Sequence, residues 1–332
     1  MRNENAAIIL TRSDVKKLAS VTDYHSAVAA AFRAHGEGLV HSPPPIEIDG
    51  VEGAFHGKGA SMTLGGERLA ALKLNGNFPF NNKRFGLPTI QGAILLCNAE
   101  TGALLAILDS IEITLRRTAA ASAVAMEALA RTDAESLLIC GCGAQARAHV
   151  EALASLKKFT SIGCYDVDAA RSARFVNELS ADGVPCEIVH DLSDAARRAD
   201  VIATLTPSKT PILGIDDVKP GAFIAAVGAD NPTKNEIAPA LMKQAVVIAD
   251  VKEQSVAMGD MRAGVGSGVI DVSHIRAELG AVLTGRTEGR RNSDEIVIFD
   301  STGAAFQDLA AAALIAVRAR SAGVGIHVNL AG

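Results

Sequence analysis

A glycine-rich turn is the part of the sequence whose residue types and spacing point most directly to chemistry. An apolar stretch from Ser136 leads through Gly141-Cys-Gly143-Ala-Gln-Ala146 into helix-forming sequence. Gly141 permits a tight turn, Gly143 lets the backbone approach a pyrophosphate, and Ala146 keeps the helix close to the strand. The first N–H groups of that helix would bind the phosphates. The pattern predicts a dinucleotide site, although glycines beside a strand can also form only a turn.

A carboxylate follows at the distance that such a site requires. The next apolar stretch ends in Asp166, about 20 residues beyond Ala146, where a carboxylate can hold the ribose hydroxyls of the adenosine. Asp166 would repel a 2′-phosphate, which favours NAD(H) over NADP(H). Arg171 and Arg174 lie just downstream and leave NADP(H) open. The alternative for Asp166 is a cap or turn residue at the end of a strand.

Three cations in the first third of the chain are candidates for holding an anion. Lys73 lies within the apolar stretch Ala70-Ala-Leu-Lys-Leu74, and a buried ammonium without a partner is costly. Arg116 and Arg117 precede Thr118 near the start of a predicted helix, where a cation opposes the helix dipole. Their anion is either an ordinary glutamate or a carboxylate or phosphate of a ligand.

Polar residues that follow predicted strands in the second half are candidates for contact with a cofactor. Thr204 and Thr206 follow one predicted strand, and Gly228 and Asp230 follow another. In a doubly wound sheet the ligand binds at the carboxyl ends of the strands. Asp230 is therefore a candidate acid/base, whereas an Asp before Asn-Pro is also a common turn residue.

The elements that must position these residues fall into two kinds of sequence. From residue 136 onward, strands near 136–140, 161–166, 186–190, 200–206, 222–228 and 245–250 alternate with helical stretches. A further strand, 296–300, precedes a long alanine-rich helix at about 304–321. This alternation predicts an α/β fold with a Rossmann-type, doubly wound parallel sheet.

The first hundred residues lack that alternation. Residues 14–36 have helical spacing and end at Ser42-Pro-Pro-Pro45, and short strands are predicted at 45–48, 69–74, 89–97 and 104–108. A helix at 113–131 then leads into the second part. We expect an antiparallel or mixed sheet, onto which the last helix returns to make a discontinuous α+β domain. The apolar patch at Ala311–Leu314 is expected either in a dimer interface or buried within one subunit.

Composition excludes several function classes. The chain has 332 residues, enough for two domains, with 48% hydrophobic and 21% charged residues. A net charge of −5, 4% aromatic residues and no Trp argue against nucleic-acid binding. We expect no signal peptide, no membrane span, no metal site and a cytoplasmic location. Five cysteines without paired C-x-x-C spacing are expected to be buried thiols: Cys97, Cys140, Cys142, Cys164 and Cys186.

Several short phrases occur in a fixed order along nearly the whole chain. They are Lys73-Leu-Asn75 with Asn77-Phe-Pro79, Gly86-Leu-Pro-Thr89 with Gly92, Thr101-Gly102, Ile113-Thr-Leu-Arg-Arg117-Thr-Ala-Ala120, Gly141–Ala146, Gly228-Ala-Asp230 with Pro232, and Asp300-Ser-Thr-Gly303 with Gln307-Asp308. Together they resemble the ornithine cyclodeaminase/μ-crystallin family. The resemblance implies a substrate-binding and dimerisation domain, 1–118 with 305–332, around a dinucleotide-binding domain, 119–304. It also implies a homodimer.

The resemblance implies roles for particular residues. Lys73 and Arg117 match residues that hold the substrate carboxylate, Asp230 matches the acid/base, and Thr302 and Gly303 belong to a matching phrase near the substrate. Further residues are expected at the cofactor: Gly141, Gly143, Ala144, Gln145, Ala146, Asp166, Thr118, Thr204, Thr206 and Gly228.

One departure from the family concerns the substrate. The family often has an arginine directly after the proline pair, and Pro45 stands at that place here. His56 and Lys58 lie where the family usually has apolar residues. We therefore expect one of the two to supply the missing polar contact, the alternative being a solvated turn.

The family resemblance implies hydride transfer between a nicotinamide and the carbon that bears nitrogen and carboxylate. We expect a reductase that converts a cyclic imino acid, Δ1-pyrroline-2-carboxylate, into L-proline, with Lys73 and Asp230 as catalytic residues. The alternatives are an ornithine cyclodeaminase that recycles NAD, then an alanine dehydrogenase, then a crystallin-like binding protein without strong catalysis.

Overall fold

A computed structural model describes residues 6–330 of the chain. Residues 1–5, on which the expected absence of a signal peptide depends, and residues 331–332 lie outside the described residues. The chain forms two compact units: one runs through Thr118 and resumes at Ala304, and the other is Ala119–Gly303. None of the described helices combines the length and the apolar character needed to cross a bilayer.

The elements follow one another in this order. Up to the end of the first unit's main part they are β1 Ala7–Leu10, α1 Arg12–Leu18, α2 Val21–Gly36, β2 Val40–His41, β3 Ile46–Gly50, β4 Gly53–Leu64, β5 Glu67–Asn77, α3 Asn81–Phe85, β6 Ile90–Asn98, β7 Leu104–Asp109 and α4 Ser110–Leu129. The following elements are β8 Ser136–Cys140, α5 Ala144–Leu156, β9 Ser161–Tyr165, α6 Ala169–Ala181, β10 Glu187–Ile188, α7 Leu192–Arg198, β11 Val201–Thr204, β12 Phe223–Ala226, α8 Pro239–Gln244 and β13 Val246–Ala249. The last are α9 Lys252–Met258, α10 Met261–Gly266, β14 Ile275–Glu278, α11 Leu279–Leu283, β15 Val297–Asp300, α12 Ala305–Ala322 and β16 Ile326–Val328.

The sheet of the first unit is mixed. Its order is β16-β1-β7-β6-β5-β4-β2, with β3 also paired to β4. Strands β1 and β7 run parallel, and the remaining pairs are antiparallel. Because successive side chains of a strand alternate between faces, Leu69, Ala71 and Lys73 of β5 are buried, whereas Leu72 and Leu74 are exposed.

Helix α12 covers the buried face of this sheet. It packs against β4, β5 and α2. In the middle turns of α12 the residues on all sides of the helix are buried. This burial explains why its sequence is apolar on more than one face. Ala311, Ala312 and Ala313 are buried within the unit. Of the two expectations for this patch, burial within one subunit therefore holds for the described residues.

The sheet of the second unit is parallel throughout. Its order is β10-β9-β8-β11-β12-β15-β13-β14. The order runs outward in both directions from β8 and β11, so the strand order reverses between them. This arrangement confirms the predicted α/β fold with a doubly wound sheet. Buried runs such as Val201–Thr204 and Phe223–Ala226 are apolar because helices cover both faces.

The structure differs from the sequence predictions at four places. Residues 14–36 form two helices, because Ala19 is extended and Ser20 starts a new helix whose capping box includes Asp23. The twelve-residue strand β4 was not predicted, since its glycines interrupt the alternation of apolar and polar residues. Strand β14 was also not predicted, and the strand expected at 186–190 has only two residues.

Candidate functional site

A buried charge cluster in the first unit joins three elements of the fold. Lys73 on β5 places Nζ 2.6 Å from Oδ2 of Asp308 on α12. Arg117 on α4 donates from Nε to the other carboxylate oxygen, Oδ1, at 2.9 Å. All three side chains are at most 6% exposed. One carboxylate therefore holds two cations in fixed positions.

Gln307 extends this cluster. Its Oε1 accepts a hydrogen bond of 2.8 Å from Nη1 of Arg117, and its Nε2 is buried without a hydrogen-bond partner in the described part of the chain. A guanidinium has five N–H donors, and the bonds to Asp308 and Gln307 use two of them. The cluster thus keeps N–H groups that can bind an anion.

Burial sets the charge states of this cluster. It lowers the pKa of Lys73 to about 7, against the opposing effect of the Asp308 carboxylate, and the positive charges of Arg117 and Lys58 lower it further. Burial alone would raise the pKa of Asp308, but Arg117 and Lys73 outweigh it and hold that pKa below its ordinary value. Asp308 is therefore ionised at neutral pH, whereas Lys73 titrates near neutrality.

Strand pairing places Lys58 and His56 on the same sheet face as Lys73. Lys58 lies opposite Lys73 and His56 opposite Asn75 in the register of β4 and β5. Nδ1 of His56 is 3.4 Å from Oε2 of Glu47, and its side chain is 43% exposed. The charge of Lys58 affects the pKa of both Lys73 and Asp308. A polar contact from Lys58 or His56 to a ligand stays a prediction. The register favours Lys58, because this residue lies directly opposite Lys73.

The sequence analysis assigned no role to Asp308 or Gln307. Both occur in the quoted phrase near the end of the chain, and both are fully buried in an alanine-rich helix. Charged and amide side chains are rarely buried unless they have partners. Two polar residues in an otherwise apolar stretch were the available signal, but the sequence did not show that α12 brings them to Lys73 and Arg117.

The glycine turn of the second unit has the geometry of a phosphate-binding loop. Gly141 follows β8 with a φ of 100°, and a Cβ on it would lie 3.0 Å from the Leu205 carbonyl oxygen. Gly143 precedes α5, and a Cβ there would meet nothing within 4 Å. Within residues 6–330 no side chain caps the helix at this end. Gly143 and Ala144 are exposed, which leaves the first turn of α5 accessible to a ligand, and Ala146 is buried.

Asp166 follows β9 beside this turn. Its Oδ2 accepts a hydrogen bond of 2.9 Å from the Cys142 N–H, and its Oδ1 accepts one of 2.9 Å from the Asp168 N–H. Nη1 of Arg171 lies 3.5 Å from Oδ2. An adjacent cavity of about 340 Å³ is lined by Cys142, Gly143, Arg147, Arg171, Arg174, Phe175 and Glu178. The residues at the turn therefore fit a dinucleotide.

The loops after β11 and β12 carry the other predicted cofactor residues. Thr204 ends β11, and Thr206 follows it. Gly228 and Asp230 follow β12, and the Asp230 N–H donates to the Gly228 carbonyl at 3.1 Å. The Asp230 side chain is 54% exposed, and its Oδ1 is 2.7 Å from Nζ of Lys234.

Three further predicted site residues are buried: Thr302, Gly303 and Thr118. The N–H groups of Thr302 and Gly303 donate to Oδ2 of the buried Asp250 at 2.8 and 2.7 Å. Thr118 is buried on α4. The predicted roles of Thr302 and Gly303 in substrate binding and of Thr118 at the cofactor stay predictions.

The chain is similar to known proteins over nearly its whole length. The model of the ornithine cyclodeaminase/mu-crystallin family matches residues 5–323. An archaeal alanine dehydrogenase dimer with bound NAD is 34% identical, with a TM-score of 0.93 over 98% of this chain and 99% of that one. The Δ1-pyrroline-2-carboxylate reductase of Thermococcus litoralis, with NADH and L-proline, is 30% identical, with a TM-score of 0.91 over 97% and 100%. The iminosuccinate reductase of Paracoccus denitrificans, with NAD⁺, is 30% identical, with a TM-score of 0.88 over 98% and 100%.

Proposed function

Because the chain belongs to the ornithine cyclodeaminase/mu-crystallin family, we propose that it is an NAD(P)H-dependent imine reductase that acts on an imino acid. The observation that carries this proposal is the buried cluster of Lys73, Arg117 and Asp308 in the first unit. Two cations that share one carboxylate form a preorganised receptor for a second carboxylate, because binding it compensates the remaining positive charge. The α-carboxylate of an imino acid supplies that group.

The substrate that we propose is Δ1-pyrroline-2-carboxylate, and the product is L-proline. The reductase from Thermococcus litoralis, which carries NADH and L-proline, supports this choice.

Each residue has a definite task in this reaction. Arg117 and Lys73 bind and orient the carboxylate, which fixes the imine carbon. The dinucleotide supplies a hydride to that carbon when bound. Asp230 supplies or stabilises the proton on the imine nitrogen, which makes the imine carbon more electrophilic. The hydride on carbon and the proton on nitrogen together convert the C=N bond into CH–NH.

The residues that would hold the dinucleotide belong to the second unit. The open N–H groups at the start of α5 suit its pyrophosphate, and Asp166 suits the ribose hydroxyls. We propose NAD(H) as the favoured cofactor, since the NAD-containing relatives and the Asp166 carboxylate support it. Arg171 and Arg174 at the cavity keep NADP(H) as the alternative.

An alanine dehydrogenase is the second candidate. The NAD-bound archaeal enzyme of that name has the 34% identity and 0.93 TM-score reported above. It requires the same carboxylate receptor and hydride transfer, but its amino group comes from ammonia rather than from a ring.

We also propose that the protein is a homodimer. The sheet face opposite Lys73 carries exposed apolar side chains on β3, β5 and β6: Ile46, Ile48, Leu72, Leu74 and Leu95. A second copy would cover this face, and the archaeal dimer supports the proposal. Sedimentation of the purified protein tests it, and a monomer at micromolar concentration would contradict it.

The deciding experiment measures the loss of NADH, and separately NADPH, absorbance when Δ1-pyrroline-2-carboxylate is added. Pyruvate with ammonia, and L-ornithine with an ammonia-release assay, are tested alongside. We expect oxidation of the cofactor with the cyclic imino acid. Turnover only with pyruvate and ammonia would establish the second candidate, and ammonia release from ornithine without net cofactor change would make the protein a cyclodeaminase.

A further inference from the structure

Glu236 is a fully buried acid in the second unit to which the sequence analysis gave no role. Its Oε1 accepts two hydrogen bonds of 2.6 Å from Thr206, one from the backbone N–H and one from Oγ1. Its Oε2 accepts a hydrogen bond of 2.8 Å from the Gly228 N–H. One carboxylate thus joins the loop after β11 to the loop after β12.

The backbones of the two loops are in direct contact. The N–H groups of Val227 and Gly228 donate to the Thr204 carbonyl at 3.1 and 3.2 Å. A Cβ on Gly228 would lie 2.2 Å from the Thr206 carbonyl oxygen and 2.5 Å from the Glu236 carboxylate. No side chain fits there, so glycine at this position is required for the bond to Glu236 to form.

Two further buried acids hold Glu236 in place. Oδ1 of Asp260 accepts hydrogen bonds of 2.6 and 3.0 Å from the N–H groups of Glu236 and Ile237. Oxygens of Asp300, the last residue of β15, accept bonds of 3.1 Å from the N–H groups of Asp260 and Met261. We call Glu236, Asp260 and Asp300 the carboxylate chain.

The carboxylate chain lacks cations. In residues 6–330 no ion pair includes any of its three members. Burial raises the pKa of Asp260 and Asp300, and the negative charge of the neighbouring acid raises it further. Their bonds go mainly to backbone N–H groups, so these acids fix the shape of the backbone around the ends of β12 and β15.

We propose that Glu236 is a positioning residue for the reaction. It sets the spacing of the loops after β11 and β12, and thereby the placement of Thr206, Gly228 and Asp230, while Asp260 and Asp300 hold it in register. This inference rests on the proposed function, because it assumes that those loops contact the dinucleotide and that Asp230 transfers the proton.

Glu236→Gln tests the proposal, with Asp200→Asn as the control for the loss of a buried carboxylate elsewhere in the second unit. Asp200 also accepts bonds from two backbone N–H groups, those of Glu135 and Ser136, and in addition it pairs with Arg131 and Lys219. It lies where β8 and β11 begin, at the opposite end of these strands from the loops that Glu236 joins. The probe is NADH, titrated by its fluorescence. We expect Glu236→Gln to raise the NADH Kd about tenfold or more and to lower kcat by about ten- to a hundredfold. The KM for the imino acid should stay within about twofold.

Asp200→Asn should lower the melting temperature without changing the NADH Kd by more than about twofold. An NADH Kd for Glu236→Gln within twofold of that of the unchanged protein would overturn the proposal. So would an equal rise in both variants, because it would indicate general destabilisation.

Amide hydrogen exchange provides a readout that needs no ligand and separates this inference from the proposed function. We expect Glu236→Gln to speed exchange at Thr206 and Gly228 selectively, and Asp200→Asn to leave both amides protected. If Glu236→Gln does not fold, Thr206→Val and Thr206→Ser replace it. The Val variant loses the hydroxyl bond to Glu236 and should speed exchange at Gly228, whereas the Ser variant keeps the bond and should leave that amide protected. Equal exchange at Gly228 in those two variants, or unchanged exchange in Glu236→Gln, would contradict the positioning role.

Discussion

The Asp308 cluster of the first unit and the carboxylate chain of the second unit both bury carboxylates, but the buried charge is compensated in opposite ways. In the first unit Asp308 faces Lys73 and Arg117, and these cations hold its pKa below the ordinary value. In the second unit Asp260 and Asp300 face backbone N–H groups, and burial raises the pKa of each. A carboxylate between cations leaves charge for a ligand, whereas a carboxylate on N–H groups leaves a fixed backbone.

The two clusters therefore have different roles: one can bind a ligand, and the other fixes the backbone of nearby loops. The Asp308 cluster can accept an anion because its two cations already have fixed positions and further N–H groups. The carboxylate chain offers no such donors, and its members act through the loops that they hold. Neither buried group is the exposed acid Asp230, to which we assign the proton transfer.

The largest expected effect therefore falls on Asp230. Asp230→Asn keeps the size of the side chain and removes the acid, so we expect kcat to fall by roughly 10² to 10⁴. Steady-state kinetics with NADH and Δ1-pyrroline-2-carboxylate measure it, and Lys234→Met serves as a control that keeps the acid. A kcat within about threefold of the original would remove Asp230 from the mechanism.

A pair of isosteric substitutions tests the contrast between the clusters directly. Asp308→Asn leaves two buried cations without their anion and should cost about 3–5 kcal/mol of unfolding free energy. Asp300→Asn replaces a carboxyl whose pKa is raised to about 7 and keeps one acceptor oxygen, so it should cost about 1–3 kcal/mol. Urea unfolding measures both. Equal losses would mean that the two kinds of compensation do not differ.

Arg117→Ala isolates the binding role of the first cluster. It removes the forked donor for the carboxylate, and we expect substrate binding to weaken by about 1.5 to 3 kcal/mol, or roughly tenfold to a hundredfold. The KM for the imino acid reports it, while the NADH Kd serves as the internal control. If both KM and kcat are unchanged, the guanidinium does not contact the substrate.

The sequence was informative where a local pattern determines the structure. The parallel sheet and the turn at Gly141–Ala146 follow from apolar runs, spacing and glycine, all of which lie within a few residues. Strand β14, Ile275–Glu278, escaped prediction because a four-residue edge strand with Arg and Glu has no apolar run. Strand β4 escaped because its glycines hide the alternation.

The candidate site was predictable only as separate residues. Lys73 could be singled out as a cation in an apolar stretch, and Arg117 as one near the expected start of a helix. The second argument does not hold in the structure, because α4 begins at Ser110 and Arg117 lies two turns inside it. The shared partner of the two cations could not be singled out, since Arg117 and Asp308 are 191 positions apart and meet only because α12 returns to the first sheet. Glu236 likewise meets Thr206 and Gly228 from 30 and 8 positions away. Such contacts depend on tertiary packing, which no local pattern encodes.

The smallest expected effect is a pH dependence that only the first cluster should show. Burial lowers the pKa of Lys73 to about 7, so its ammonium form, which attracts the carboxylate, is lost as the pH rises through that value. kcat/KM for the imino acid, which reports the free enzyme, should therefore fall by about tenfold between pH 6 and pH 8. Lys73→Met should have a lower kcat/KM throughout and lack the part of the decline due to this group. The titration of the imino acid itself is common to both proteins, so the ratio of their kcat/KM values isolates Lys73. A ratio that is constant from pH 6 to pH 8 would show that Lys73 keeps its proton, and the cluster would then bind its anion through two permanent charges.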